Sequence, residues 1–445
     1  MKLFESIGHM HLTGIEKTKE LTEKKPVKKI DNEYCKNIYI PIVDAKAMPI
    51  NLKVAVGDEV KVGTLIGTYM VFGNEMPVYS TVSGKIVGEE MLFHAGIGRP
   101  VKHFNIENDF KYDCIQVCKP FTKDDNADVI IENMQKLALV GLGGAGFPTF
   151  VKYKNVKDID TLIINGVECE PFITTDYVAM KNESNLLIEG VELFLKASGA
   201  KKAYICFKND RRDVKEELDK LLVNHPNIEV KMVANAYPMG WEKNLVKAVV
   251  HRTYNKLPSE AHVIVNNVQT AIEFAKSSKT GFIMNTKQIT VSGEGIKENG
   301  NIVLPIGTKI GNLVQFMGGY NVDEGVVLLG GPMCSKALMN DNVAILANAN
   351  ALTVLKKVIR KAEPCLRCGA CTEHCPANVQ PVEVKFCVET KNMERLALLN
   401  PNACVGCGLC SYVCPSFIDV ADFVKKGKLF LSIEEAKKKA QKGGK

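Results

Sequence analysis

The chain has 445 residues, 46% of them hydrophobic and 24% charged, with a formal net charge of +7, long enough for about three or four globular domains. The modest basic excess comes without a nucleic-acid reading motif or an aromatic-interleaved basic surface, which argues against a nucleic-acid partner, and apolar stretches such as 261–265 and 326–329 fall far short of the ~18 residues of a membrane helix. Fifteen cysteines in a long chain with no apolar leader core after Met1 point to a reducing cytoplasm rather than a disulfide framework, so any attachment to the inner face of the membrane has to come from a partner.

Residues 1–37 are charged and lysine-rich, and read as an arm, poorly ordered or wrapped over the surface. From 38 to 110 short alternating segments (54–67, 77–88) with Gly57-Asp58 and Gly63 turns predict a small all-β sandwich. It is similar to the barrel-sandwich modules of biotinyl and lipoyl type, but no lysine stands in the setting of a swinging arm, so the module reads as structural. Cys114 and Cys118 follow; on a helix they would share a face, either as a redox dithiol or as two ordinary thiols.

Over 111–285 apolar strand candidates at 137–140, 161–164, 203–207, 229–234 and 262–265 alternate with helical patterns at 185–198, 211–224 and 241–254. This predicts a largely parallel sheet with helices on its faces. Gly141, Gly143 and Gly146 satisfy G-x-G-x-x-G, with Gly144 between them, directly after the first strand candidate; Glu168 lies where a ribose-binding acid would. Glycine lets backbone N–H groups close on a phosphate, and a helix beyond Pro148 would add partial positive charge. The alternative is a plain strand–helix turn. The next loop, 165–176, carries Asn165, Glu168, Glu170 and Asp176 at the C-terminal end of a strand, the edge where open α/β sheets bind ligands. Cys169 has no adjacent base or cation and reads as inert.

Residues 286–348 return to strands and glycine turns and predict a small β-rich domain. From 350 the chain reads as helical, with a helix expected from Gln380-Pro381 towards Leu399. This part, 349–425, holds two copies of one spacing: Cys365, Cys368, Cys371, Cys375-Pro376, then Cys404, Cys407, Cys410, Cys414-Pro415. Such runs hold pairs of [4Fe–4S] clusters, the fourth Cys of each ligating the other run's cluster. The crossed sets are Cys365, Cys368, Cys371 and Cys414, and Cys404, Cys407, Cys410 and Cys375. Zinc is the alternative for paired C-x-x-C, but two identical four-cysteine runs fit clusters better. His374, beside Cys375, reads as a residue supporting the cysteines from behind or as a surface residue. The tail, 426–445, is basic and reads as solvated, or as a dock for an acidic partner or anionic lipid.

The strings 141–149 (GLGGAGFPT), 165–171 (NGVECEP) and 266–270 (NNVQT) resemble the flavin- and NADH-binding fold shared by the flavoprotein subunit of respiratory complex I and the C subunit of the Rnf electron-transport complex. The order of parts is similar to the latter. The resemblance implies a multidomain α/β protein: a barrel-sandwich module, a parallel flavin/NADH domain, a β-grasp domain of the soluble-ligand-binding type and a ferredoxin-like domain with two [4Fe–4S] clusters. It implies FMN and NADH, with Gly141, Gly143, Gly144 and Lys152 on phosphate or nucleotide. Asn165, Glu168, Glu170 and Asp176 would line the flavin and nicotinamide site, Glu242 the nucleotide pocket, and Asn267 and Thr270 would touch the flavin. No side chain need act as a general acid or base.

Four departures stand out. Residues 7–11 lack the family's opening motif, Trp241 replaces a glycine, 347–351 replaces a Lys-Gly-Thr-Ser-Gly loop, and Cys334 is unusual. Trp241 either narrows the nicotinamide pocket or opens a helix and packs on the sheet. The departures are similar to those of a soluble branch associated with proline reductase in anaerobes. The expected activity is NADH-linked electron transfer to a partner redox protein, either such a reductase or the membrane subunits of an Rnf complex; a relay that has lost nicotinamide binding is the rival.

Overall fold

The computed structural model describes residues 15–154 and 156–443; the departure at residues 7–11 and Lys445 lie outside them. The N-terminal module is two antiparallel sheets. One runs in the order Asn37–Pro41, Arg99–Asn108, Gly84–His94, Glu59–Val60, and the other Asn51–Leu52, Leu65–Val71, Asn74–Tyr79. Alternating side chains fill the space between them, with Ile38, Ile66, Ile86, Phe104 and Ile106 buried. The hairpin between Val71 and Asn74 turns on Phe72 (φ 46°) and Gly73 (φ 74°), the paired left-handed residues that a two-residue I′ turn requires.

The α/β domain is a four-stranded parallel sheet in the order Ile228–Val233, Lys202–Lys208, Thr161–Asn165, Val263–Asn267. Its central strands are apolar on both faces because helices cover both. Ser184–Ser198 and Val268–Thr280 cover one face through Leu187, Val191, Phe194, Ile272 and Phe274. A side chain at Gly190 would collide with the Ala271 carbonyl, so glycine sets how closely those two helices cross. Glu242–Val250 covers the other face through Leu245, Val246 and Val249.

The expected strand at 137–140 is absent. These residues finish the helix Ala127–Lys136, their amides bonding back to Asn133, Gln135 and Met134, and only Val140 makes a single bridge, to Pro148. The glycine loop therefore joins a helix end to a short 3-10 turn, Thr149–Lys152, and no long helix follows it. Cys114 and Cys118 lie in irregular chain rather than on a helix.

A five-stranded mixed sheet follows, ordered Lys28–Lys29, Gly300–Pro305, Thr286–Ser292, Ala351–Lys356, Gly325–Leu329. Two expectations change here. The N-terminal arm is built into the fold: Lys28–Lys29 is an edge strand of this sheet, and Lys19, Thr22 and Cys35 are buried. The segment after residue 350, read as helical, begins with the strand Ala351–Lys356, whose first four residues are buried where it pairs with both Thr286–Ser292 and Gly325–Leu329.

The C-terminal part is helical from Ala370 on. The helix opened by Pro381 ends at Thr390, where Lys391 turns left-handed (φ 54°). A second helix, Met393–Leu398, starts on the Asn392 side chain, which accepts the Arg395 amide at 3.0 Å. The basic tail continues a long helix, Val420–Gly443, whose Gly427 lies against Val384 and Leu396.

Candidate functional site

Asn165 and Asn267 end neighbouring parallel strands in register, so both side chains stand at the C-terminal edge of the sheet. Asn267 caps the helix behind it, its Oδ1 accepting from the Gln269 amide at 2.9 Å, while its Nδ2 donates to Asp176 Oδ2 at 2.8 Å. Gln269 Nε2 donates to the other Asp176 oxygen at 2.5 Å, and Lys287 Nζ donates to Gln269 Oε1 at 2.6 Å. Asn165 Nδ2 donates to the Gly240 carbonyl at 2.9 Å. The Asp176 amide donates to Glu168 Oε1 at 2.9 Å. Burial and then the Glu168 charge raise the Asp176 carboxyl above its ordinary range, and burial lowers Lys287.

The glycine loop lies over this edge. The Leu142 amide donates to Thr270 Oγ1 at 3.0 Å, and Gly143 faces Asn267, which a Cβ would meet at 3.1 Å. Gly144 (φ 112°) and Gly143 are exposed, and a Cβ on Gly144 would meet nothing within 4 Å, so the amides there are open to a ligand. Asn348 Nδ2 donates to the Gly144 carbonyl at 2.8 Å. Lys152 points elsewhere: its buried ammonium donates to the Val265 carbonyl at 2.6 Å, and burial lowers its pKa while Glu242 opposes the shift. Glu242 itself accepts from Tyr254 Oη at 3.0 Å.

Lys19 was invisible to sequence reasoning. Its ammonium is 2% exposed and donates to the carbonyls of Glu168 (2.8 Å) and Ile173 (2.7 Å), with Glu168 Oε2 at 3.8 Å. Burial pulls it down to about 8, against the raising effect of Glu168. Glu168 Oε2 has no hydrogen-bond donor among the described residues. A buried acceptor without a donor, beside open glycine amides, fits a ligand with ring or hydroxyl donors and a phosphate.

Glu170 faces away from this edge. Both its oxygens accept backbone amides, Met333 at 3.0 Å and Cys334 at 2.8 Å. That turn in turn seats the second cysteine run: a Cβ on Gly408 (φ 74°) would collide with the Met333 carbonyl. The buried Tyr237 hydroxyl donates to the Cys407 carbonyl at 2.8 Å and lies 3.0 Å from Cys334 Sγ. Trp241 is half-buried and directly precedes the helix Glu242–Val250. Burial pushes the Cys169 thiol up to about 11, the condition of an unreactive thiol.

The eight run cysteines line two cavities. One is bordered by Cys365, Cys368, Cys371 and Cys414, the other by Cys375, Cys404, Cys407 and Cys410. Both runs form the same loop, with left-handed residues at Arg367 and Gly369 in one and at Gly406 and Gly408 in the other. Each loop aims an amide at its first sulfur, Arg367 N to Cys365 at 3.4 Å and Gly406 N to Cys404 at 3.3 Å. Such N–H···S bonds tune cluster potentials. Among the described residues no three His, Cys, Asp or Glu side chains converge as the ligands of a single ion would; the thiols border a space, which suits a multi-atom group. The second cavity is the inner one: Cys375, Cys407 and Cys410 are buried, whereas Cys368 is exposed. Burial pushes the Cys407 thiol up to about 11 and that of Cys410 higher, so loss of their protons would be coupled to metal binding.

Comparison with known proteins gives four family matches along the chain. Residues 11–111 match the RnfC barrel sandwich hybrid domain, 134–276 the Nuo51 FMN-binding domain, 288–337 the SLBB domain and 364–418 the 4Fe-4S dicluster domain. FMN and [4Fe–4S] clusters are therefore the cofactors these domains take. The chain is 32% identical over 351 residues to the C subunit of the Na(+)-translocating ferredoxin:NAD(+) oxidoreductase complex of Acetobacterium woodii, covering 77% of this chain and 78% of that one. It is 30% identical over 353 residues to the C subunit of the proton-translocating ferredoxin:NAD(+) oxidoreductase complex of Clostridium ljungdahlii, covering 77% of each. In fold it is similar to a chain of an NAD+-reducing [NiFe]-hydrogenase in the air-oxidised state, with a TM-score of 0.50 at 18% identity, covering 69% of this chain and 62% of that one. Among the described residues no helix is long and apolar enough to cross a membrane.

Proposed function

The chain belongs to the family of C subunits of ion-translocating ferredoxin:NAD(+) oxidoreductase complexes, and from that premise we propose that it passes electrons between NADH and a partner redox protein by way of FMN and two [4Fe–4S] clusters. What these groups supply when bound is exchange between a two-electron hydride carrier and one-electron carriers. The observation that carries the reading is the pair of four-thiol cavities, the inner of which is seated on the turn held by Glu170.

In this reading Cys365, Cys368, Cys371 and Cys414 hold the outer cluster, and Cys375, Cys404, Cys407 and Cys410 the inner one. The amides of Gly143 and Gly144 receive phosphate, while Gly141 and Gly146 shape the loop, their amides donating to the Phe147 and Gly141 carbonyls; Lys152 and Glu242 fix the pocket behind them. Asn165, Glu168, Asp176 and Asn267 orient the flavin and nicotinamide, and Thr270 holds the glycine loop in place. Glu170 acts through the Met333–Cys334 turn, keeping the inner cavity against the nucleotide edge.

Anaerobic purification with iron, sulfide and flavin assays, followed by NADH addition, tests this. Coloured protein whose flavin band bleaches with NADH is the expected result; colourless protein refutes the cofactor assignment, and an unbleached flavin refutes the nicotinamide step. A relay without nicotinamide binding is the second reading. It is favoured by Trp241, which adjoins Gly240, the residue bonded to Asn165, and bleaching that appears only in Trp241→Gly would establish it. A soluble reductase of the proline-reductase type is the finer proposal for the partner; it rests on the departures at Trp241 and Cys334, and co-purification with integral membrane subunits would overturn it.

A further inference from the structure

The two cavities differ in what surrounds them. The inner one is backed by Tyr237 and Met333, which pack against Cys407 and Leu409, whereas the outer one opens under a strip of exposed chain. In residues 356–368 only Leu366 and its neighbours border the outer cavity, and residues 360–367 are tied to the chain around it. The Glu363 amide donates to the Ser416 carbonyl at 2.9 Å, and Ser416 Oγ donates to the Pro364 carbonyl at 2.9 Å. Arg360 lies over the Phe417 ring, 4.8 Å from its centroid, and Arg367 over Phe386 at 5.0 Å.

This strip presents Val358, Ile359 and Leu366, which are 68%, 80% and 70% exposed, beside Phe417 at 48%. Lys356, Arg360, Lys361 and Arg367 are exposed around them, with Glu363 as the acid of the strip, and Lys357 is paired with Glu324 at 2.8 Å. Large apolar side chains at the centre and arginines at the edge are the make-up of a protein–protein contact. The cationic rim selects an acidic partner and steers it in. The exposed Cys368 beneath the strip says what the contact is for.

We propose that residues 358–367 with Phe417 form the docking surface for a one-electron redox protein that presents an acidic face. The inference rests on the reading that the outer thiols hold a cluster. One electron crosses per encounter: the carrier is oxidised by one equivalent as the outer site is reduced by one, and no bond or proton moves. A lipid surface would suit the same apolar and cationic residues, but it accepts no electron, and the patch surrounds an electron exit.

The test uses the full-length holoprotein under anaerobic conditions and an acidic plant-type [2Fe–2S] ferredoxin as probe. Oxidised ferredoxin is used for equilibrium binding, in which no electron moves, and dithionite-reduced ferredoxin for stopped-flow transfer. In Arg360→Glu/Lys361→Glu, binding and transfer should both fall at least ~10-fold, as they should in the parent when salt is raised to shorten the screening length. Ile359→Ser, which removes apolar area and adds no charge, should weaken binding without changing its salt dependence. Iron, sulfide and NADH bleaching stay at parental levels in both variants, and these same assays on the parent check the cluster reading separately. Ferredoxin bound as tightly by the double variant as by the parent would overturn the proposal. So would a parent that ignores ferredoxin but sediments with anionic-lipid vesicles in an Arg360-dependent way.

Discussion

Replacing Lys19 by Met removes the buried cation that holds the 166–175 loop. The ammonium is 3.8 Å from Glu168 Oε2, which at an effective dielectric of about 20 corresponds to about 4 kcal/mol. Breaking a buried pair on one side costs about 3–5 kcal/mol, because the remaining charge is left uncompensated. The carbonyls of Glu168 and Ile173 also lose their donor. The chain has several domains, so a global melt would dilute the effect. Hydrogen exchange resolved to peptides covering 166–175 reads the local opening instead. A loss of ~4 kcal/mol should accelerate exchange there by ~1,000-fold, while the barrel-sandwich module is unchanged. Lys19→Met/Glu168→Gln should recover part of the protection, since neither side then keeps a buried charge while the two carbonyls still lack their donor. Unchanged exchange in the single variant, or a double variant as open as the single one, would refute the reasoning.

Cys414→Ser should remove the outer cluster and Cys375→Ser the inner one, each leaving about half the iron; cluster EPR distinguishes them, and an uncrossed pattern of loss would overturn the assignment. Tyr237→Phe deletes the hydroxyl that donates to Cys407, a net loss of about 1 kcal/mol. It should speed removal of inner-cluster iron by a chelator while outer-cluster iron leaves at the parental rate; equal rates for parent and variant would contradict it. His103 is buried in the sandwich, and burial lowers its imidazole from 6.5 to about 4. Its folded value is depressed, so the stability linked to it is complete above 6.5 and lost as pH falls towards 4, by ~3 kcal/mol. His103→Leu should flatten the acid side of the module's thermal-stability profile, and a profile identical to the parent's would remove His103 as the cause.

Short-range features were legible in the sequence. The strands at 161–164, 203–207, 229–234 and 262–265 each appear within a residue or two, because a buried parallel strand is a continuous apolar run with little else to compete. The cysteine runs were legible because one tight loop sets their spacing. What the sequence hid depends on residues far apart in it. Lys19 sits in a lysine-rich run that reads as solvated, yet it bonds a carbonyl 149 residues away. Glu170 reads as a ligand-facing acid beside Glu168, but amides at 333 and 334 claim it. The 137–140 stretch has a strand's composition, and a helix end claims its amides first. Asn348 belongs to a stretch noticed only for what it replaces, and its bond to Gly144 needs the fold to appear.

Gly408 also limits how the C-terminal module can be exchanged. With the Met333 carbonyl standing where its Cβ would need room, a ferredoxin domain grafted from another protein would seat flush only if its loop offered glycine at that place. Any larger residue would hold the graft away from the rest of the chain by roughly the thickness of a methyl group, and electron tunnelling weakens steeply over such gaps.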